Sequence, residues 1–244
     1  MKQEAFPILE FDPDRNAIIR PSNLVKKIDI PERCVITFFL DEMEKIVKEY
    51  PSKVIEYFKC DAYKLPIYEV NYEGIKIALI QGMVGAPVAA RQIEDLVERG
   101  CKKFLVCGDC GVLDKDIVSG HLILPVAAIR DEGTSYHYIA PSREIEMDKD
   151  VLKILETVLK KNHLPYLKTK TWTTDAFFRE TQAKTIRRKN EGCLVVEMES
   201  AAYMAVAKFN NVKLGQILYA GDNLDGNIWD NRKLQDKQTK KELL

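Results

Sequence analysis

The stretch that most constrains the fold is LVVEMESAAYMAVAKFNNVKLGQILYAGD, residues 194 to 222. Leu194-Val195-Val196 is a short apolar run of the kind that forms a buried strand. Glu197-Met198-Glu199-Ser200 interrupts it with two carboxylates. The Ala-rich segment Ala201 to Phe209 is made of good helix formers, and Asn210-Asn211 ends it. Gly215 to Ala220 begins a second apolar strand, closed by Gly221-Asp222. If both strands run parallel, their carboxyl ends share one side of a sheet, where open α/β folds bind ligands. Glu199 and Asp222 would then face one cleft. The alternative for Glu197 is a solvated acid at a helix start, where negative charge is favoured.

The rest of the chain repeats this alternation. Cys34 to Leu40, Lys53 to Lys59, Ile67 to Asn71, Ile75 to Gln81, Lys103 to Cys107, His121 to Val126 and Tyr166 to Thr173 read as strands. Helices are expected over Asp41 to Tyr50 and between Pro87 and Gly100. Two more are expected from an Asp148 cap through Lys161 and over Glu180 to Asn190, which Gly192 stops. Residues 1–33 carry four prolines and are expected as an irregular arm, and 235–244 as a polar tail. With no internal repeat or linker, residues 1–244 are expected to form a single α/β domain with a largely parallel sheet.

Charge balance excludes some partners. Lys plus Arg equals Asp plus Glu at 37 each, so no global basic field argues for nucleic acid. No apolar run approaches membrane-spanning length. The N-terminus lacks the apolar core of a signal peptide, and the six cysteines are scattered, four of them in or beside strand-like runs. Reduced thiols and a cytoplasmic location are the expectation.

Two Gly-x-x-Gly patterns, Gly82 to Gly85 and Gly108 to Gly111, follow apolar strands. Turns there would let backbone approach a ligand, or hold an anion, or simply pack tightly. Cys107-x-x-Cys110 matches half a zinc site. No second pair exists, and His121, His137 and His163 lack metal spacing, so no metal or cofactor is expected. Phe177-Phe178 lies where a strand meets a polar helix, so one ring either stacks on a planar ligand or joins the core. His137 lies in the polar loop Arg130 to Ser142, as a surface histidine or a sugar contact.

Taken together, VVEMESAAYMAVAKF, the strand ending in Gly221-Asp222, QGMVG, CGDCGVL, GTSYHYIAP and TTDAFF resemble the nucleoside phosphorylase / nucleosidase superfamily. The resemblance runs from about Cys34 to Asp222. It implies a three-layer αβα, phosphorylase/hydrolase-like fold with a mixed, mostly parallel central sheet. It implies cleavage of a nucleoside N-glycosidic bond in a homo-oligomer, from dimer to hexamer, in which a neighbouring subunit completes the sugar pocket. The residues around Glu197, Gly108 and Asp109 would line that pocket. Glu199 would hold the ribose hydroxyls, Met198 would pack on the sugar and Phe177 on the base. Asp222 matches the acid that protonates a purine at N7, which favours a purine over a pyrimidine. Cleavage builds positive charge on the sugar and negative charge on the base, so an ionised Glu199 and a protonated Asp222 suit the two ends.

The acceptor is where the chain departs from the phosphorylases. Their Gly-Asp-Pro-x-Arg phosphate loop is replaced here by Leu40-Asp41-Glu42-Met43-Glu44. Val106 stands for an arginine, and Asp109 for a hydroxyl residue. By the majority of the family the acceptor is phosphate as co-substrate, giving ribose 1-phosphate; by these local residues, with cations lost and acids gained, it is water, giving ribose. Glu44 falls where nucleosidases carry the glutamate that activates water; a helix-surface acid is the other reading. Arg91 or Arg130 would be substitute phosphate contacts. A uridine phosphorylase-like activity and a nucleoside-binding module without turnover are the remaining alternatives.

Overall fold

The computed structural model describes residues 3–232; the tail expected over 235–244 lies outside them. Among the described residues before Arg33 the chain carries only a 3-10 turn at Pro7–Leu9 and one short helix, α1 (Pro21–Leu24). The body follows as β1 (Arg33–Thr37), α2 (Leu40–Glu49), β2 (Ser52–Cys60), β3 (Tyr63–Tyr72), β4 (Ile75–Gln81), α3 (Ala86–Arg99) and β5 (Lys103–Val112). Then come β6 (Leu122–Asp131), β7 (Glu144–Glu146), α4 (Lys149–Lys161), β8 (Tyr166–Thr174), α5 (Gln182–Asn190), β9 (Cys193–Glu197), α6 (Ser200–Phe209) and β10 (Lys213–Asn223). Local signals act as expected at several ends. Asp148 accepts hydrogen bonds from the backbone N–H of Asp150 and Val151 at the start of α4. Gly100, at φ 132°, ends α3.

All ten strands among the described residues join one sheet. Its centre is parallel: β4, β1, β5 and β10 lie side by side in register. The antiparallel pair β2–β3 extends one edge through β4. Beyond β10 the sheet turns through an antiparallel β6 and continues with β8 and β9 in parallel. β9 then pairs antiparallel with the end of β5, at Gly111 and Val112. The strands β5, β10, β6, β8 and β9 therefore close a ring, which removes two edges.

Alternating side chains divide the core into two layers. Ile36, Ile80 and Val106 point to the face covered by α3 and α6, with Ile93, Leu96, Tyr203 and Val206 above them. Leu79 meets Met43 of α2 on the other face. Leu105 and Ile217 meet Leu155 and Leu159 of α4 on that face. The three layers are αβα. Helix α6 is buried on nearly all sides, as its Ala-rich sequence predicts.

Two sequence expectations are corrected here. β9 and β10 do not run parallel: β10 runs with β5, and β9 runs against it. Nor is Gly108-Asp109-Cys110-Gly111 a turn. β5 continues through it, because Gly108 to Cys110 pair with Leu218 to Ala220 of β10 and Gly111 pairs with Val196 of β9. An apolar run predicts where a strand begins, but partners on both sides carry it past its glycines.

Candidate active site

A cavity of about 510 Å³ opens where β5, β9 and β10 meet, a size typical of small-molecule sites. Its lining includes Asp109, Glu180, Glu197, Glu199 and Asp222. Among the described residues no lysine, arginine or histidine lines it.

One end is organised around Glu197, the last residue of β9. Thr171 and Thr173 of β8 donate their hydroxyls to its Oε1, at 3.2 and 2.6 Å. The backbone N–H groups of Glu199 and Ser200 donate to its Oε2, at 2.7 and 2.6 Å. The carboxylate thus satisfies free donors at the start of α6 and ties that helix to β8 and β9. Glu197 is a substrate-facing candidate whose carboxylate is fully engaged within the protein.

Glu199 follows at the helix entrance, and its Oε1 accepts the Gly85 N–H at 2.6 Å. Gly85, at φ 109°, is the residue before α3, a conformation that a side chain would strain. Burial, and then the neighbouring negative charge of Glu197, raise the Glu199 carboxyl above its ordinary range. Burial raises Glu197 as well. Met198 lies between them in the lining.

The other end is organised around Asp222. The pairing of β10 with β5 breaks between Ala220 and Asn223, where β10 carries an extra residue. Such a bulge re-aims a side chain, and here Asp222 turns into the cavity. Its Oδ2 accepts the indole N–H of Trp229 at 2.6 Å. Burial raises the Asp222 carboxyl, while the Trp229 hydrogen bond opposes the shift. Glu180 lines the same end, half-buried and free of any side-chain hydrogen bond among the described residues. Burial, then the negative charge of Asp222, push it up to about 7. Phe177 lines the cavity too and meets Phe178 edge-on, with ring centroids 5.0 Å apart.

Phe38, just after β1, forms another wall. A Cβ on Gly82 would come within 2.7 Å of its ring and one on Gly108 within 3.0 Å, so both glycines make room for it.

Of the residues singled out from sequence, the cavity brings together Asp222, Glu199, Met198, Glu197, Phe177, Gly108 and Asp109. It does not include Glu44 or His137. Glu44 has the placement of a helix-surface acid: it projects from the outer face of α2, with 58% of its side chain exposed, 4.0 Å from Lys48. The inward positions of that helix belong to Glu42 and Met43. His137 ends a 3-10 turn (Ser135–His137) and is exposed. Arg130 gives four of its five N–H donors to Ser135, Ser142 and the carbonyls of Ile139 and Ala140, and it lies outside the lining. Arg91 lies over Phe58, outside the lining. Sequence reading missed Phe38, Glu180 and Trp229. The charged run predicts helix from Glu180, yet α5 begins only at Gln182, capped by Thr181.

The architecture is shared with known enzymes. A uridine phosphorylase from Vibrio fischeri superposes with a TM-score of 0.72 at 19% identity, over 90% of this chain and 87% of that one. An AMP nucleosidase from Bacteroides thetaiotaomicron superposes at 0.67 with 24% identity, over 79% and 81%. The chain belongs to the phosphorylase superfamily, whose family model matches residues 32–242. Among curated relatives, a guanosine phosphorylase from Halorubrum lacusprofundi is 28% identical over 162 residues, 66% of each chain. The chain thus spans about two thirds of that relative's length.

Proposed function

We infer that this protein cleaves the N-glycosidic bond of a purine nucleoside. The observation that carries the reading is that Glu199 and Asp222, distant in sequence, line one cavity from two separately built ends. The ribose hydroxyls donate to Glu199, and Met198 packs on the sugar. These donors favour the ionised form of Glu199, offsetting the burial that otherwise keeps it protonated. Glu197 holds the start of α6, and with it Glu199, in place. The base lies against Phe177 with N7 toward Asp222. Burial keeps a proton on Asp222 at higher pH than usual, as an acid catalyst requires. When the bond from C1′ to the base breaks, the electron pair goes to the base, and Asp222 gives N7 its proton. The ionised Glu199 steadies the positive sugar.

The lining favours water over phosphate as acceptor. Five carboxyl side chains and an apolar Phe38 surround the space, with no cation among the described lining residues. A phosphate dianion would meet like charge there. Water bonds to C1′ and loses one proton as the base gains one, so the products are free base and ribose. Phosphorolysis to ribose 1-phosphate is the second reading, favoured by the name of the guanosine phosphorylase relative.

The six free cysteines support a cytoplasmic place for this chemistry. The exposed Val84, Phe177 and Trp229 at the cavity support assembly into a homo-oligomer. In such an assembly the exposed His137 would serve a neighbouring copy's sugar pocket. The test is product analysis with adenosine, inosine and guanosine, with and without phosphate. Base and free ribose at equal rates in both buffers are expected. Product only with phosphate would make it a phosphorylase, and no product in either would leave a nucleoside-binding module.

A further inference from the structure

Glu180 is a carboxyl group that the reaction above does not use. It lines the cavity together with Asp222 and Phe177, near enough to Asp222 for that residue's charge to act on it. No side chain or backbone group donates a hydrogen bond to it among the described residues, and it enters no ion pair there. A half-buried carboxyl with no partner costs stability unless a ligand supplies one. The groups that face it are few. Asp222 of β10 lies close enough to raise it, and Lys184 of α5 lowers it from outside the lining. Lys184 itself is 3.4 Å from Asp131. Trp229 lines the same end but gives its N–H to Asp222.

The chemistry of a purine then limits what Glu180 can meet. The 6-substituent lies on the same edge of the base as N7. A base held with N7 at Asp222 presents that substituent to groups next to Asp222. The geometry points to Glu180 as the residue that selects the base, by reading whether the 6-position carries an amino or an oxo group. This rests on the purine-nucleoside reading above. As a carboxylate, Glu180 accepts a hydrogen bond from a 6-amino group and repels a 6-oxo oxygen. As a carboxylic acid, it donates to a 6-oxo oxygen. Its proton therefore selects between the two classes, and burial with Asp222 nearby places that exchange near neutral pH.

Equilibrium binding of the free bases adenine and hypoxanthine tests this without relying on turnover. Both share N7, so Asp222 meets the two bases alike, and the Glu180 variants below show whether any pH dependence of the ratio comes from Asp222 alone. The preference for adenine over hypoxanthine should rise about tenfold or more between about pH 6 and about pH 8. In Glu180→Gln the amide can both donate and accept, so the ratio should become flat across that range. Glu180→Ala, with folding checked by thermal melting, should also lose the pH dependence. A ratio that still changes with pH in both variants would overturn the assignment, as would a flat ratio in the unaltered protein. Failure of both bases to bind would overturn it too. PH-dependent selection without any nucleoside turnover would leave Glu180 as the selector and remove only the catalytic reading.

Discussion

At the end of the cavity built by β9 and α6, all of the Glu197 carboxylate is taken up by four donors, and Glu199 is held by Gly85. At the other end Asp222 has one side-chain donor, Trp229, and Glu180 has none among the described residues. The first end stands on a strand and a helix buried from Ser200 to Ala207. The second stands on a 3-10 turn (Phe177–Arg179) and on the segment after β10, with Phe177 48% and Trp229 57% exposed. The difference separates two tasks. A ribose is common to all nucleosides and suits a rigid, pre-formed socket. Bases differ, and loops over a fixed scaffold are where recognition can vary without disturbing the core.

The comparison predicts unequal consequences of mutation at the two ends. The largest effect on turnover belongs to Asp222→Asn, which keeps the shape and removes the proton. Purine nucleoside turnover should fall by roughly 10²- to 10⁴-fold with the melting temperature preserved; near-normal rates would remove Asp222 as the acid. Glu197→Ala should act through stability. It strands two threonine hydroxyls and two backbone N–H groups in a buried place, a loss of about 2–4 kcal/mol by denaturant unfolding. An unchanged unfolding midpoint would show that this end is not the rigid one.

Trp229→Phe is expected to be milder and to appear in pH dependence. The indole hydrogen bond lowers the Asp222 carboxyl, so its loss lets that carboxyl rise further. Activity needs Asp222 protonated and is lost as pH rises through its pKa. The alkaline limb of the kcat/KM profile should therefore move to higher pH, by less than about one unit. Movement to lower pH would reverse the assigned role. Smallest of all is Glu44→Gln, on the exposed face of α2, where turnover should stay within about twofold. A large loss would bring Glu44 back as the group that activates water.

Much of the buried end was legible in the sequence, and less of the exposed one. Leu194 to Asp222 carries its strand–helix–strand order in its composition, because apolar runs and an Ala-rich segment act locally. That Glu199 and Asp222 share a cavity was expected from parallel strands. They share it for another reason: β9 closes a ring onto the far end of β5, a pairing between residues about 85 apart that no local pattern reports. That pairing at Gly111, with β10 alongside Gly108 to Cys110, makes strand of what reads locally as a turn. Glu180 was hidden because a charged run reads as helix until Thr181 is seen to cap it. Trp229, one large ring in a polar stretch, was the available signal for a wall near Asp222. Glu44 was placed by its spacing after the first strand, but the backbone turns so that Phe38, and not the acid, meets the cavity.

The central claim is that one nucleoside is gripped at its sugar by Glu199 and at its base by Asp222. A structure of the protein with a bound purine nucleoside tests it most directly. The account predicts the ribose hydroxyls within hydrogen-bond reach of Glu199 and N7 within reach of Asp222, in this one cavity. A nucleoside bound elsewhere, or in this cavity with its base turned toward Glu199, would contradict it.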